Sequence, residues 1–401
     1  MLLKVSMMSP EKCVYMDHTA GKPVDARVIE AMLPYMKSTY GNPAALHSFG
    51  EDPRKELDSA RTEIAALVNA ERKETIVFTS GATESNNTAI KGVAYRNKDR
   101  GMHIITSSIE HMSVINPCNF LKTRGVEATF LPVSNFGVVN LEALEKAITE
   151  KTILVSIMYA NGEIGSIQPI EEISEIVHRK NIYFHVDATA ANGQVPIDVR
   201  KEGIDLLTLS SNDIYGPKGV GALYVKDGTR LEPLIHGGGQ ERGLRSGTEN
   251  IPGIVGFGKA AELAKEEMKM ESQQLAKMRD KLIKGLLDSI PYSFLNGHPT
   301  LRLPDNAAVR FSFIEGESML LSLDMLGVGA SSGSACTTKT LEPSHVLIAT
   351  GLKHEEAHGS LLFTLGRQNT EEEVDYVVSI MPEIVKRLRL ISPLTPKELN
   401  K

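Results

Sequence analysis

The sequence predicts an α/β protein with a large, mainly parallel β-sheet covered by helices, followed by a smaller α+β region. Short apolar runs alternate with helical patterns over the first two-thirds of the chain, as in strands joined by helical crossovers. After about Gly258 the pattern changes, and the length of 401 residues leaves room for two domains. We predict a large domain over 17–262 and a small domain formed by 1–16 and 263–401.

Hydrophobic periodicity places the elements of the large domain in order. Apolar side chains recur at helical spacing in the predicted helices, whereas the strands are short, apolar and rich in β-branched residues. The predicted elements are a helix over 55–69, a strand over 75–79, a turn into a helix at 80–83, a strand over 103–106, a helix over 141–148, a strand over 152–159, a helical stripe of Ile170, Ile173 and Val177, and strands over 183–187 and 206–210.

The small domain is predicted from four features. A long charged helix covers 259–287, a short alternating strand covers 308–313, and a segment rich in small residues over 327–339 is typical of a loop. Thr370 with Glu373 three residues later forms a capping-box pattern. It opens a helix whose predicted inward-facing residues are Val374, Val377, Val378, Met381 and Val385.

Composition excludes several function classes. The formal charge of −6 argues against a nucleic-acid partner, and no apolar run is long enough to span a bilayer. The three cysteines, Cys13, Cys118 and Cys336, are far apart and form no CxxC pair. This argues against a disulfide framework and a dedicated zinc site, and favours a reducing cytoplasm.

Two residues at predicted strand ends and one turn are candidates for ligand binding. The turn with Ala82 and Thr83 leads into a helix N-terminus, which suits a phosphate, although an ordinary helix cap is the alternative. Asp187 ends a strand, where it could pair with a pyridinium nitrogen or simply form a turn. His111 follows another strand and could stack on a flat cofactor ring and move protons, or be purely structural.

Cys336 is the candidate nucleophile among the cysteines. Its neighbours are small residues, which predict an accessible thiol. Cys118 lies among Asn116, Pro117 and Phe120, which is typical of a structural cysteine, and Cys13 has no evident role.

Two further features suit anions. The segments 237–241 and 245–248 combine glycines, hydroxyls and Arg245, as in an anion site or a subunit contact, with a flexible loop as the alternative. Arg367 could clamp a substrate carboxylate or form a surface ion pair.

These motifs, in this order, resemble the cysteine desulfurases of the NifS/IscS class. The resemblance extends from about Asp17 to Thr370 and rests on motifs at 40–43, 46–48, 79–87, 110–111, 214–219, 237–241, 245–248 and 332–336. It implies a homodimer of the pyridoxal-phosphate-dependent aspartate-aminotransferase fold. Such enzymes take sulfur from L-cysteine, release L-alanine, hold the sulfur as a cysteine persulfide and pass it to an iron–sulfur scaffold of the IscU type.

The resemblance also assigns roles to individual residues. Cofactor phosphate would be bound by Ala82, Thr83 and Ser210, with Thr248 reaching it from the other subunit. Asp187 would pair with the pyridine nitrogen and His111 would stack on the ring. Arg367 would hold the substrate carboxylate, and Cys336 would attack the substrate sulfur.

One departure from the family pattern affects the chemistry most. The family has His-Lys before Ile-Tyr-Gly-Pro-Lys-Gly, and that lysine forms the Schiff base with the cofactor, whereas this chain has Asn212-Asp213. A carboxylate cannot form an imine, so the cofactor is expected to bind without a covalent link there. Further changes are Gly162, Ala190, Leu362 and the stretch 19–23, where the family has Asn, Gln, Arg and Asn-Ala-Thr-Thr-Pro.

Two functions follow from this pattern. The first is a cysteine desulfurase with impaired turnover, because the missing lysine is also the base that moves the substrate's α-proton. The second is an assembly partner that docks an iron–sulfur scaffold and offers Cys336 as a sulfur carrier or cluster ligand. A different pyridoxal-phosphate enzyme, such as a lyase, explains neither the absent lysine nor the retained Cys336 loop.

Overall fold

A computed structural model describes residues 13–332 and 343–397, and within it the chain forms two compact units. The large unit contains residues 21–162 and 166–272. The small unit contains the described residues of 13–20, 163–165 and 273–397.

Strands and helices alternate along the large unit, as the sequence predicts. The strands of the described residues are β1 (Val14–Tyr15), β2 (Ile76–Thr79), β3 (His103–Ser107), β4 (Glu127–Leu131), β5 (Thr152–Met158), β6 (Tyr183–Asp187), β7 (Leu206–Ser210), β8 (Gly221–Val225), β9 (Ser293–Leu295), β10 (Asn306–Phe311), β11 (Val328–Gly329) and β12 (Ser360–Thr364). The α-helices are α1 (Ala26–Lys37), α2 (Glu51–Leu67), α3 (Ala82–Arg96), α4 (Met112–Lys122), α5 (Leu141–Ala147), α6 (Ile170–His178), α7 (Ile251–Ser289), α8 (Gly316–Asp324), α9 (His345–Ala349), α10 (His354–His358) and α11 (Glu371–Ile391).

The large unit is built on a seven-stranded sheet. Its strand order is β2-β8-β7-β6-β5-β3-β4. Strand β8 is antiparallel to both of its neighbours, and the other pairs are parallel. Every residue of β5 and β7 is buried, as expected for strands covered on both faces. The predicted α/β fold with a mainly parallel sheet is therefore confirmed.

Some predicted boundaries are wrong by a few residues, each for a local reason. Strand β2 begins at Ile76, because Thr75 belongs to a short 3-10 turn. The strand predicted over 308–313 is β10, which ends at Phe311. Two residues later, Phe313 has a φ of 74°, which no strand continues.

Helix α7 begins at Ile251, eight residues before the predicted start. Gly258 suggested a break in the sequence but lies inside the helix. A Cβ atom there would lie 2.5 Å from the Cα of Ala60, so the glycine permits close packing. Within the described residues, no helix combines the length and the apolar character needed to cross a bilayer.

The small unit has two small sheets around its own core. Strands β12-β10-β9 form an antiparallel sheet, and β1 pairs with β11 in parallel. The predicted loop over 327–339 was therefore wrong at Val328 and Gly329, which form β11 because they pair with Val14 and Tyr15.

The predicted capping box at the start of α11 is confirmed. Glu373 N–H donates to Thr370 Oγ1 at 3.3 Å, and Thr370 N–H donates to Glu373 Oε2 at 3.2 Å. The predicted inward-facing residues are buried in the core or, for Val378, packed against it. The helix start and its buried stripe could both be predicted from spacing alone.

Candidate active site

Strands β2, β6 and β7 end at one edge of the large sheet, and this edge gathers most of the predicted cofactor residues. Gly221 of β8 pairs with Thr79 on one side and Ser210 on the other. Asp187 pairs with Thr208 of β7. The turn after Thr79 that carries Ala82 and Thr83 therefore lies at the same edge as Ser210 and Asp187. Ligands of open α/β sheets bind at such an edge.

Asp187 is a buried carboxylate held from two sides. Its side chain ends β6, and the residue is 4% exposed. Asn86 Nδ2 donates to Oδ2 at 2.6 Å, while Oδ1 accepts from the backbone N–H of Thr189 at 3.0 Å and from its hydroxyl at 2.5 Å. Donors on both oxygens favour the charged form and fix its orientation.

His111 caps helix α4 and presents an exposed ring. Its Nδ1 accepts from the backbone N–H of Ser113 at 3.1 Å and lies 2.7 Å from the Ser113 hydroxyl. Because a backbone N–H can only donate, Nδ1 is an acceptor, and the proton of the neutral ring lies on Nε2. Asn86 Nδ2 also donates to Ser113 Oγ at 2.8 Å, so one amide connects Asp187 with the cap of His111.

Two buried titratable groups lie near Asp187. His185 is fully buried between the hydroxyls of Ser156 and Thr208, at 2.8 and 3.0 Å. Burial lowers the pKa of His185 to about 4, although the charge of Asp187 acts to raise it. Burial likewise raises the pKa of Glu110 to about 8, against the lowering effect of its hydrogen bonds. The surroundings of Asp187 thus hold a neutral imidazole and a neutral carboxylic acid near pH 7.

The turn into α3 has the geometry of an anion site. Gly81 is the N-cap residue with a φ of 148°, and no side chain caps the helix there. A Cβ atom at Gly81 would meet no atom within 4 Å, so the space above the turn is open. Thr83 is exposed, and Glu84 holds the turn by accepting from Ser80 N–H at 2.8 Å and Arg245 at 3.0 Å. The helix N–H groups and the Thr83 hydroxyl are available to a phosphate.

A chain of polar contacts follows β7. The Ser210 hydroxyl donates to Asn212 Oδ1 at 2.7 Å, and Asn212 Nδ2 donates to Asp213 Oδ2 at 3.2 Å. Asp213 is half-buried in a short 3-10 helix over Asn212–Ile214. The position at which the resemblance expects an amine therefore carries a carboxylate beside the predicted phosphate residue.

The segment 237–248 is anchored rather than flexible at its centre. Glu241 is buried and accepts from both terminal nitrogens of Arg61 at 2.7 Å and from Phe78 N–H at 2.8 Å. Thr248, by contrast, is exposed. The anchored part leaves Thr248 accessible to a second molecule.

The remaining predicted residues lie elsewhere. Arg367 follows β12 in the small unit and is half-buried. Cys336, as nucleophile or cluster ligand, falls outside the described residues. Cys118 is buried, and burial raises its pKa to about 12, in agreement with a structural role, whereas Cys13 is exposed. The part of the chain described contains no group of three or more His, Cys, Asp or Glu that could hold a metal ion.

Sequence reasoning missed Asn86, Ser113 and Thr189, which orient Asp187 and His111. Asn86 and Ser113 are both buried polar residues near the start of a helix. Asn86 lies four residues after Ala82, on the same helical face. A polar residue within an otherwise buried helical stripe was the one signal that could have identified it.

Comparison with known proteins supplies an independent description of the chain. The model of the aminotransferase class-V family matches residues 14–377. Cysteine desulfurase IscS 1 of Archaeoglobus fulgidus is 58% identical over 380 residues, which is 95% of this chain and 99% of that protein. Cysteine desulfurase IscS of Methanosarcina thermophila is 54% identical over 393 residues, covering 98% and 97%. A solved structure of a NifS-like protein has a TM-score of 0.88 at 39% identity, covering 94% and 100%.

Proposed function

The chain belongs to the class-V aminotransferase family, and from this premise we propose that it is a cysteine desulfurase that supplies sulfur for iron–sulfur cluster assembly. Its substrate is L-cysteine, its product is L-alanine, and the sulfur is held as a persulfide on Cys336. The similarity to IscS desulfurases over nearly the whole chain carries this proposal. We further propose that Asp213 makes turnover slow.

Pyridoxal phosphate is the cofactor that the family implies, and most of the site fits it. Asp187 is a buried, oriented carboxylate suited to a pyridinium nitrogen, and the open turn at Gly81 beside Ser210 suits a phosphate. The exposed ring of His111 suits stacking on the cofactor. Asp213 does not fit a covalent link, because a carboxylate cannot condense with an aldehyde. We propose that these contacts hold the ring and the phosphate without a covalent bond to residue 213.

Pyridoxal phosphate, when bound, supplies an electron sink for the substrate's α-carbon. Asp187 stabilises the protonated pyridine nitrogen, since Asn86 and Thr189 favour its charged form. His111 exchanges its proton at Nε2, because Nδ1 is occupied by Ser113. Arg367 holds the substrate carboxylate. The Cys336 thiolate attacks the substrate sulfur, a new S–S bond forms, the carbon–sulfur bond breaks, and that carbon takes up a proton to give alanine.

We propose three further properties. A homodimer is supported by an exposed apolar face of α1, where Ile29, Leu33 and Met36 recur at helical spacing, and by the exposed Thr248. The receiving partner is an iron–sulfur scaffold of the IscU type. The protein works in the cytoplasm, where free cysteines stay reduced.

Asp213 favours one second candidate function. Without an amine at this position, the chain would act as an assembly partner that docks the scaffold and offers Cys336 as a sulfur carrier or as a ligand of a shared iron–sulfur cluster. The two candidates differ in whether L-alanine is formed from L-cysteine.

The test measures L-alanine and persulfide together on the purified full chain with added pyridoxal phosphate and L-[35S]cysteine. The proposed function predicts slow alanine formation and label on Cys336, both lost in Cys336→Ala, whereas Cys13→Ala keeps them. Label on Cys336 only from a sulfur-loaded scaffold, with no alanine formed, would favour the assembly role instead. Alanine formation that survives Cys336→Ala would contradict both.

A further inference from the structure

Lys22 is a buried lysine that the proposed mechanism does not use. The residue is only 4% exposed, although it is in a loop between Gly21 and Pro23. Its amine lies 5.0 Å from the centroid of the Tyr215 ring. Among the described residues, no carboxylate lies within ion-pair distance of this amine.

The position of Lys22 in the large unit connects it to the candidate site. Tyr215 belongs to the loop between β7 and β8, five residues after Ser210, and its carbonyl oxygen accepts from Asp25 N–H at 2.9 Å. The loop closes at its base through Ser211 N–H and the Val220 carbonyl at 3.3 Å. The segment that carries Lys22 therefore packs on the loop that leaves the sheet edge where Asp187 and Ser210 lie.

The sequence around this loop has exchanged the position of a cation. The family pattern has lysine at 213 and threonine before the proline at 23, whereas this chain has Asp213 and Lys22. A buried ammonium without a counter-ion is unfavourable, because burial removes its hydration without replacing it. A site that retains such a group in the absence of a protein carboxylate is completed by an anionic ligand.

We propose that Lys22 is the cation that pairs with an oxyanion of the ligand bound at this edge. That oxyanion is either the phosphate of pyridoxal phosphate or the carboxylate of L-cysteine, both of which accept hydrogen bonds from an ammonium group. This inference rests on the proposed function, since it takes its ligands from that function.

The test compares Lys22→Met, which removes the charge, with Lys22→Arg, which keeps it, and with Lys218→Met as a control. Lys218 is an exposed lysine whose amine lies 3.6 Å from where a Cβ atom of Gly21 would be. Dissociation constants are measured by equilibrium dialysis for pyridoxal phosphate and for pyridoxal, and by calorimetry for L-alanine on the cofactor-loaded protein. None of these readouts requires turnover.

Lys22→Met is expected to weaken one ligand by roughly 10-fold to 100-fold, whereas Lys22→Arg and Lys218→Met stay within about 3-fold of the parent. Weaker pyridoxal phosphate with unchanged pyridoxal identifies the phosphate, and weaker L-alanine alone identifies the carboxylate. Lys22→Met is also expected to raise the unfolding temperature of the ligand-free protein, because it removes an unpaired buried charge.

Three results would overturn the inference. They are equal binding of every ligand by Lys22→Met and the parent, a Lys22→Arg variant as weak as Lys22→Met, and loss of folding in Lys22→Met. If the parent chain binds no pyridoxal phosphate, the cofactor part of the proposed function fails with the inference. If the parent binds it and Lys22→Met binds equally well, only the inference fails.

Discussion

Asn86 Nδ2 lies 2.6 Å from Asp187 Oδ2, although the two residues are 101 positions apart in the chain. The same nitrogen donates to Ser113 Oγ at 2.8 Å, and Ser113 in turn occupies Nδ1 of His111. One amide thus orients both the carboxylate proposed for the pyridine nitrogen and the serine that fixes the proposed stacking ring.

Replacing Asn86 by Ala should weaken pyridoxal phosphate binding by roughly 10-fold or more. The change removes a hydrogen bond to a charged group, typically worth about 1.5–3 kcal/mol, and leaves Asp187 Oδ2 without this donor. Equilibrium dialysis of the full chain measures the effect. Asn116→Ala, on an exposed position of α4, is the control and should bind as the parent does. Equal affinity in the two variants would refute a role for Asn86.

Glu110 should make stability depend on pH. Its pKa is raised to about 8 in the folded chain, so between about pH 4.5 and 8 the folded state binds a proton that the unfolded state has lost. Stability is therefore highest below this window and falls as pH rises through it, by at most about 1.4 kcal/mol per pH unit.

Glu110→Gln should remove this contribution. Denaturant unfolding at pH 5, 6.5 and 8 gives the free energy of unfolding for both proteins. The parent should lose stability relative to the variant as pH rises. Glu163, whose pKa burial also raises to about 8, remains in both and cancels from the difference. A difference that is constant with pH would show that Glu110 does not titrate as described.

Glu241→Ala should destabilise the chain by about 3–5 kcal/mol, because it leaves the charge of Arg61 buried without its partner. The side chains of Arg61 and Glu241 are only 12% and 3% exposed. Glu142→Ala is the matched control, since its ion pair with Lys146 is fully on the surface and should change stability by less than about 0.5 kcal/mol. Similar losses in the two variants would contradict the anchoring role.

The fold and the ends of its strands could be predicted because those signals are local. Strands β6 and β7 were predicted at their observed bounds, and Asp187 was identified from its place at the end of β6. Strand β8 was not predicted, because the run from Gly221 to Val225 follows its neighbour after only a short loop, without the crossover helix of a parallel sheet.

The supporting contacts of the site could not be predicted from the sequence. Asn86, Ser113 and Asp187 come from a helix, a second helix and a strand, and only the fold brings them together. Lys22 shows the same limit, since neither its burial nor its contact with Tyr215 is visible in the sequence. Position 213 is the opposite case, because residue type alone excludes a covalent link there.

The central claim is that Asp213 limits an otherwise competent desulfurase site. The most direct measurement is the rate of L-alanine formation from L-cysteine, with saturating pyridoxal phosphate, for the parent, Asp213→Lys and the control Asp213→Asn. The account predicts a rise of roughly 10²–10⁴-fold in Asp213→Lys, the usual contribution of a positioned acid–base group, and no comparable rise in Asp213→Asn. An Asp213→Lys rate equal to that of the parent would contradict it.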